Sequence, residues 1–138
     1  MSFTISGQTL YVNLLGILIS GGQGFLGYTA SAEVFIPALN KSCSLPSLTN
    51  SRHEHSQNNL LACGGQGTTG TETTCEGFTS GVGWRQEPYI LTEERRYHTS
   101  WSLSNGSLLL LGGEWSNTTE VVIPGVGTRP GFSLKYPI

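Results

Sequence analysis

The apolar residues of this chain fall in short runs separated by Gly, Asn, Ser and Pro. No long segment repeats them with the 3.6-residue period of an amphipathic helix, so the pattern predicts strands and turns. The stretch 95–113 is representative, because Asn105-Gly106 is typical of a type I′ hairpin turn and the apolar strand Leu108–Leu111 follows it. Four apolar residues in succession favour a strand that is covered on both faces. The pattern as a whole predicts an all-β chain.

One strand-and-turn unit occurs three times along the chain. Three apolar strands each end in a pair of glycines: Gly21-Gly22, Gly64-Gly65 and Gly112-Gly113. Successive pairs are 43 and 48 residues apart. Two segments, each predicted as a strand, share Arg at the first position and His at the fourth: Arg52 to Ser56 with His55, and Arg95 to Thr99 with His98. A Glu-Val-x-Ile-Pro sequence begins at Glu33 and again at Glu120. This recurrence in one register indicates a repeat protein.

The second copy has the fullest set of repeat features. Its strand Leu60–Gly65 is followed by Phe78 and, six residues later, by Trp84. An apolar strand that closes on Gly-Gly, followed by an aromatic residue and a Trp, resembles the kelch repeat, which forms one blade of a β-propeller. The first copy has Phe35 but no Trp, and the third has Phe132 where a Trp would stand.

The resemblance implies a single kelch-repeat unit, residues 1–138, of about three four-stranded antiparallel sheets. The blades are expected at about 9–48, 52–91 and 95–138. Closed propellers have about 4–8 blades, so three blades make an incomplete ring. Exposing two blade faces would cost on the order of tens of kcal/mol, against a domain stability of about 5–15 kcal/mol. We therefore expect a second copy, in a homo-oligomer, or the missing blades of a longer chain to cover these faces.

The charge of the chain is low and shows no basic patch. The formal net charge is −2 and 12% of the residues are charged, which argues against a nucleic-acid partner. Every acidic residue is Glu, which argues against EF-hand loops and the tryptophan–aspartate propellers. The apolar segment Leu10–Ile19 is shorter than the ~20 residues that span a bilayer, so no membrane partner is expected. Residues 1–20 are predicted as two strands, Thr9–Asn13 and Gly16–Ser20, with a secretory signal peptide as the alternative.

The three cysteines predict one disulfide. Cys63 and Cys75 are expected on neighbouring antiparallel strands, where a disulfide can join them. Cys43, on the outer strand of the first blade, then remains to pair with another chain or to stay free. The alternative is a cytoplasmic protein with three reduced thiols.

Three Asn-x-Ser/Thr sequons give a second indication of the compartment. They begin at Asn40, Asn105 and Asn117, although Asn105 is also explained by its turn. Together with the predicted disulfide, they favour a secreted, extracellular glycoprotein.

The recurring arginines are interpreted as structural residues. Arg52 and Arg95 are expected to bond backbone groups or a Glu near the blade junction. Glu33 and Glu120 are the candidate carboxylates for a bidentate pairing that would position neighbouring blades.

Metal chemistry and catalysis receive little support from the sequence. His53 and His55 would share one face of a strand, and a nearby cysteine would complete a zinc site, but the recurrence of His55 as His98 favours a structural role. The copper oxidases resembling galactose oxidase belong to the kelch superfamily, yet their Tyr, Cys and His ligands have no counterpart at matching spacing here. No nucleophile-elbow, paired-acid or phosphate-loop pattern occurs either. We predict no metal and no cofactor, and a remnant of such an oxidase is the least favoured function.

The leading functional prediction is a non-enzymatic interaction module that binds a protein or a glycan. The loops that follow the Gly-Gly pairs are expected to cluster on one rim and to contact the ligand: Gln23 to Thr29, Gln66 to Thr73 and Glu114 to Thr118. Gln23, Gln66 and Trp115 are the candidate ligand-binding residues, with packing over a neighbouring blade as the alternative for Trp115. The alternative function is a structural subunit that assembles with itself into a closed dimer or a polymer of blades.

Overall fold

The computed structural model describes residues 2–5, 8–12, 16–58, 60–79 and 81–137. These residues form strands joined by turns, with one 3₁₀ turn at Pro37–Leu39, and among them there is no helix with the length and apolarity needed to cross a bilayer. In chain order the strands are β1 (Ser2–Ile5), β2 (Gln8–Val12), β3 (Ile17–Ser20), β4 (Gln23–Gly24), β5 (Gly27–Tyr28), β6 (Ala32–Ile36), β7 (Lys41–Leu45), β8 (Ser56–Asn58), β9 (Leu61–Cys63), β10 (Gln66–Gly67), β11 (Gly70–Thr71), β12 (Thr74–Thr79), β13 (Gly83–Ile90), β14 (Thr99–Ser102), β15 (Leu108–Leu111), β16 (Thr118–Ile123) and β17 (Gly127–Ser133). The all-β prediction is confirmed.

Three antiparallel sheets contain most of these strands. The first sheet has the order β1-β2-β3-β6-β7, the second β13-β12-β9-β8 and the third β14-β15-β16-β17. Each sheet is built from one continuous stretch of chain. The two remaining pairs, β4-β5 and β10-β11, are small hairpins that follow the first and second Gly-Gly pairs.

The core lies between neighbouring sheets. One cluster of buried residues joins the first and second sheets and includes Leu18, Ala32, Ala62 and Trp84. A second cluster joins the second and third sheets and includes Leu61, Cys63, Cys75, Leu108, Leu110 and Val122. Strand β8 lies beside both β2 and β14, and β13 lies beside β17. Neighbouring sheets therefore complete each other's core.

Two predicted strands begin later than the sequence pattern indicated. The segments from Arg52 and from Arg95 are irregular, and the ladders start only at β8 and β14. Glu54 (φ 58°) and Tyr97 (φ 56°) are both left-handed, which interrupts an extended chain. For the same reason, the prediction that His53 and His55 share one strand face is wrong.

Smaller differences occur at a turn and at the chain ends. The type I′ prediction for Asn105-Gly106 is wrong, because only Gly106 has a positive φ (85°) and the Asn105 side chain accepts a bond from the Ser107 N–H. The last strand is Gly127–Ser133 rather than Phe132–Tyr136. Of the predicted strand Thr9–Asn13, Asn13 lies outside the described residues.

Arg52 ties the first sheet to the second. Its carbonyl accepts a bond from the Gly22 N–H at 2.8 Å, while its guanidinium donates to the carbonyls of Gly64 and Thr74, each at 3.0 Å. The guanidinium also donates to Glu76 at 2.8 Å, and both side chains are fully buried. The backbone of one residue thus holds the preceding sheet while its side chain holds its own sheet.

Arg95 repeats this junction between the second and third sheets. Its carbonyl accepts from the Gly65 N–H at 2.7 Å, and its guanidinium donates to the carbonyls of Gly112 (2.6 Å) and Thr118 (3.1 Å). It also pairs with Glu120 at 2.6 Å, with both side chains fully buried. The predicted Arg95–Glu120 pair is present, but it lies within one repeat rather than between repeats.

The predicted carboxylate partner of Arg52 was wrong. Glu76, not Glu33, pairs with Arg52. Glu33 belongs to β6 of the preceding sheet, whereas both observed pairs join an Arg to the Glu of the sheet that follows it. Glu76 also accepts bonds from the backbone and hydroxyl of Thr49, which fixes the connection that enters the second sheet.

The histidines of the repeat pack against the glycines of the preceding sheet. A Cβ at Gly64 would lie 2.9 Å from His98 Cε1, and one at Gly21 would lie 2.8 Å from His55 Cε1. Gly21 (φ 65°) and Gly64 (φ 66°) are also left-handed. Glycine is therefore required here both by its backbone conformation and by the close approach of the next repeat.

Candidate functional site

The loops after the three Gly-Gly pairs form one connected surface, which we call the loop rim. It consists of the β4-β5 hairpin, the β10-β11 hairpin and the loop Glu114 to Ser116, together with the connections at 53–54 and 96–97. Tyr28 stacks on His53 with the ring centroids 4.1 Å apart, and His53 forms a backbone bridge with Gln66. Arg96 donates to Gln66 at 3.1 Å and to Glu114 at 2.6 Å. Side-chain and backbone contacts therefore link the first loop to the third.

The charged part of the loop rim is centred on Arg96. Its guanidinium lies 3.8 Å from Glu54 and pairs with Glu114. The hydrogen bond to Glu114 and the charges of both glutamates raise the pKa of Arg96. A hydrogen bond to Glu54, and the charge of that carboxylate, raise the pKa of the neighbouring Tyr97 hydroxyl. The two acidic groups and one cation give this part of the rim a hydrogen-bonding, slightly acidic character.

Large apolar side chains project from two of the loops. Phe25 and Leu26, at the tip of the β4-β5 hairpin, are 104% and 98% exposed. Trp115 in the loop Glu114 to Ser116 is 89% exposed. Trp115 is therefore not packed over a neighbouring sheet of this chain. Exposed aromatic and aliphatic groups on a fixed scaffold are suited to contact another molecule.

The predicted ligand-binding residues differ in their exposure and in their contacts with other loops. Gln23 lies in β4 and is exposed. Gln66 is half-buried, and its side-chain oxygen accepts bonds from Thr71 and Arg96, so its side chain also connects the loops. Trp115 (φ 63°) is held in a left-handed conformation at the turn of its loop.

Two exposed residues of the rim, Phe25 and Leu26, were missed from the sequence. The signal was available, because Gln-Gly-x-x-Gly occurs at both hairpins. The second hairpin has Thr68-Thr69 at its tip, where the first has the apolar pair. Because the second hairpin forms the same turn with two threonines, the turn does not require the apolar pair of the first.

The repeat histidines are neutral components of the junctions. Burial, followed by the charge of Arg95, lowers the pKa of His98 to about 3. Burial, followed by the charge of Arg52, also lowers the pKa of His55 well below its usual value. Within the described ranges, no group of three His, Cys, Asp or Glu side chains is placed to hold a metal ion.

The cysteines are paired as predicted. A disulfide joins Cys63 in β9 to Cys75 in β12, and both residues are completely buried. Cys43 is free and exposed in β7. The three sequon asparagines, Asn40, Asn105 and Asn117, are exposed.

A groove lies at the opposite end of the sheets from the loop rim. It has a volume of about 320 Å³. Leu60, Phe78 and Pro124 line it together with Arg85 and Glu87. Strand β9 runs from this end to the Gly-Gly pair at the other, so the groove and the loop rim are separated by the length of the strands.

No protein-family model matches the chain, and no curated protein is significantly similar to it.

Proposed function

We propose that the chain is a kelch-type repeat module, a partial β-propeller without enzymatic activity, that binds a protein or a glycan through the loop rim. Support for the kelch interpretation comes from the repeated Gly-Gly strands and from the repeated Arg junctions between neighbouring sheets. An extracellular, glycosylated state is part of the proposal, and it is supported by the buried disulfide and the exposed sequons.

The observation that carries the binding proposal is the exposure of Trp115 on a connected surface. Its loop is anchored by the pairing of Arg96 with Glu114, so the indole is presented from a fixed base. Tryptophan buries a large area at low entropic cost and is enriched among the residues that dominate binding energy. The apolar pair Phe25-Leu26 on the same rim favours a protein over a glycan as the ligand.

The test uses arrays of immobilised peptides and of glycans, probed with the labelled full chain. Ligands found in this way are then titrated with Trp115→Ala. We expect the dissociation constant to rise at least about tenfold, because the side chain contributes on the order of 2 kcal/mol at a central position. Trp101→Ala is the matched control, since Trp101 is 67% exposed but lies on β14 away from the loop rim.

The two variants separate the possible outcomes. Loss of binding in Trp115→Ala with retention in Trp101→Ala supports the loop rim as the ligand site. Equal affinities for both variants and the parent chain would contradict it.

The second candidate function is a structural subunit that assembles with itself. The observation that favours it is the presence of an apolar tip at one end of the molecule and a groove at the other.

A further inference from the structure

The tip of the β4-β5 hairpin has the properties of an insertion element. Phe25 and Leu26 are fully exposed, and the flanking Gly27 has open space around its Cβ position, so the tip stands clear of the sheets. No charged side chain occurs before Glu33. Transfer of the tip out of water therefore requires no desolvation of a charged group on the tip itself.

The groove between the second and third sheets has an apolar part and a polar part. Its apolar part is formed by Leu60, Leu61, Phe78 and Pro124, and its polar part by Thr79, Arg85, Gln86 and Glu87. Leu60 remains 39% exposed there. At about 320 Å³ the groove lies at the lower end of the ~300–1,000 Å³ range of ligand pockets, a size suited to one or two side chains.

We propose that the chain associates head to tail, with the Phe25-Leu26 tip of one copy inserted into the groove of the next. The occupant of the groove is a second copy because the chain itself supplies an uncharged, protruding apolar pair of suitable size. The tip and the groove lie at opposite ends of the sheets. The contact is therefore heterologous and generates an open chain of molecules unless its rotation closes a ring.

The small contact area sets the expected strength of this association. Complete burial of the two side chains removes about 300 Å² from the tip, and a similar area from the groove gives about 600 Å² in total. This is below the ~1,200–2,000 Å² of stable complexes, so we expect weak, concentration-dependent association with a dissociation constant on the order of 100 µM. The proposal rests on the second candidate function, self-assembly, and does not depend on Trp115.

Sedimentation velocity of the full chain between about 10 µM and 1 mM tests the proposal. The parent chain should grow in mass with concentration. Phe25→Thr combined with Leu26→Thr gives the first hairpin the tip of the second, so the fold is retained, and the dissociation constant should rise at least about tenfold. Leu60→Asn should have the same effect at the groove, since Leu60 (φ 61°) has a conformation that Asn tolerates. Leu39→Thr, at another exposed apolar position, should associate like the parent chain.

A mixing experiment gives the sharpest outcome. The tip variant retains a groove and the Leu60→Asn variant retains a tip. Neither variant alone should therefore grow in mass with concentration, and the mixture should form one-to-one pairs of the two variants. A parent chain that is monomeric throughout, an undiminished association of the tip variant, or a mixture without dimer would each overturn the proposal. Trp115→Ala should associate normally, which distinguishes failure here from failure of ligand binding at the loop rim.

Discussion

Arg52 and Arg95 are fully buried cations, and each is hydrogen-bonded to backbone carbonyls as well as to a buried glutamate. An isolated charge in such a place would be strongly unfavourable, and the fixed carboxylates of Glu76 and Glu120 are what make burial possible. Each pair is therefore sensitive to the loss of one member, because the other then remains buried without its counter-charge.

Arg95→Ala is expected to lower the free energy of unfolding by about 3–5 kcal/mol, because it leaves Glu120 buried and unpaired. Chemical denaturation monitored by circular dichroism measures the change. Arg129→Ala is the matched control, since Arg129 is exposed on β17 and its removal should cost at most about 0.5 kcal/mol. An unchanged midpoint for Arg95→Ala would contradict the structural role of the junction.

The buried histidines make stability depend on pH. His98 has a pKa of about 3 when folded, against an ordinary value of 6.5, so the unfolded chain takes up a proton first as the pH falls. The contribution of neutral His98 to the free energy of unfolding is fully present above pH 6.5. It is lost progressively below that pH, by about 2 kcal/mol at pH 5. Unfolding free energies of the parent chain and of His98→Gln at pH 7.5 and pH 5 test this. The variant should lose about 2 kcal/mol less than the parent chain, and equal losses would refute the assignment.

The sheets illustrate which elements the sequence predicts well. Apolar runs that end in glycine pairs identified the central strands β3, β9 and β15. Only β9 is buried on both faces, whereas buried and half-buried residues alternate in β3 and β15, so the prediction that Leu108–Leu111 is covered on both faces is wrong. The connections before β8 and β14 were predicted incorrectly as strands, because the left-handed residues Glu54 and Tyr97 have no sequence signature of that conformation. Tertiary contacts at the junction and at the loop rim position these two residues, and local sequence does not predict such contacts.

The partner of Arg52 was missed for a related reason. Glu76 stands in Cys-Glu-Gly-Phe, without the Val-x-Ile-Pro context that marks Glu33 and Glu120 as equivalent. At the candidate site, exposed Trp115 was recognisable as an aromatic residue without a core position. The connection of Gln66 to Arg96 depends on loops 30 residues apart in sequence, so local patterns do not report it.

The glycine at the second junction offers a matched pair of substitutions. Gly64 and Gly106 are both left-handed, with φ of 66° and 85°, so Ala at either site has a similar backbone cost. Only at Gly64 would the new Cβ lie 2.5 Å from the Arg95 carbonyl oxygen, whereas Gly106 has open space. Gly64→Ala should therefore be about 1–3 kcal/mol more destabilising than Gly106→Ala in thermal or chemical denaturation. Equal losses of stability in the two variants would mean that the junction accommodates the added Cβ without an energetic penalty.

The three sheets depend on one another because their cores lie between them. Trp84 and Ala62 of the second sheet pack with Leu18 and Ala32 of the first, and Leu61 packs with residues of the third. In a repeat protein, stability is approximately the sum of the repeats and of the interfaces between neighbours. Here the interfaces contain the buried apolar residues, so loss of one sheet exposes the core of the next.

We therefore expect a single cooperative unfolding transition. Trp84 is buried between the first two sheets, while Trp101 and Trp115 are exposed. In a chain with Trp101→Phe and Trp115→Phe, the fluorescence of Trp84 reports the first interface and far-ultraviolet circular dichroism reports all sheets. The two midpoints should coincide. A Trp84 transition that precedes the loss of circular dichroism would show that the first sheet separates independently.

The double contact of each junction arginine has a consequence for how such a chain can lengthen. One residue provides both the carbonyl that meets the glycine pair behind it and the guanidinium that closes on the glutamate ahead. A gene segment copied from one of these arginines to the residue before the next would carry both halves of a boundary. Tandem duplication would then insert a unit that fits between its neighbours at once, with no compensating substitution on either side.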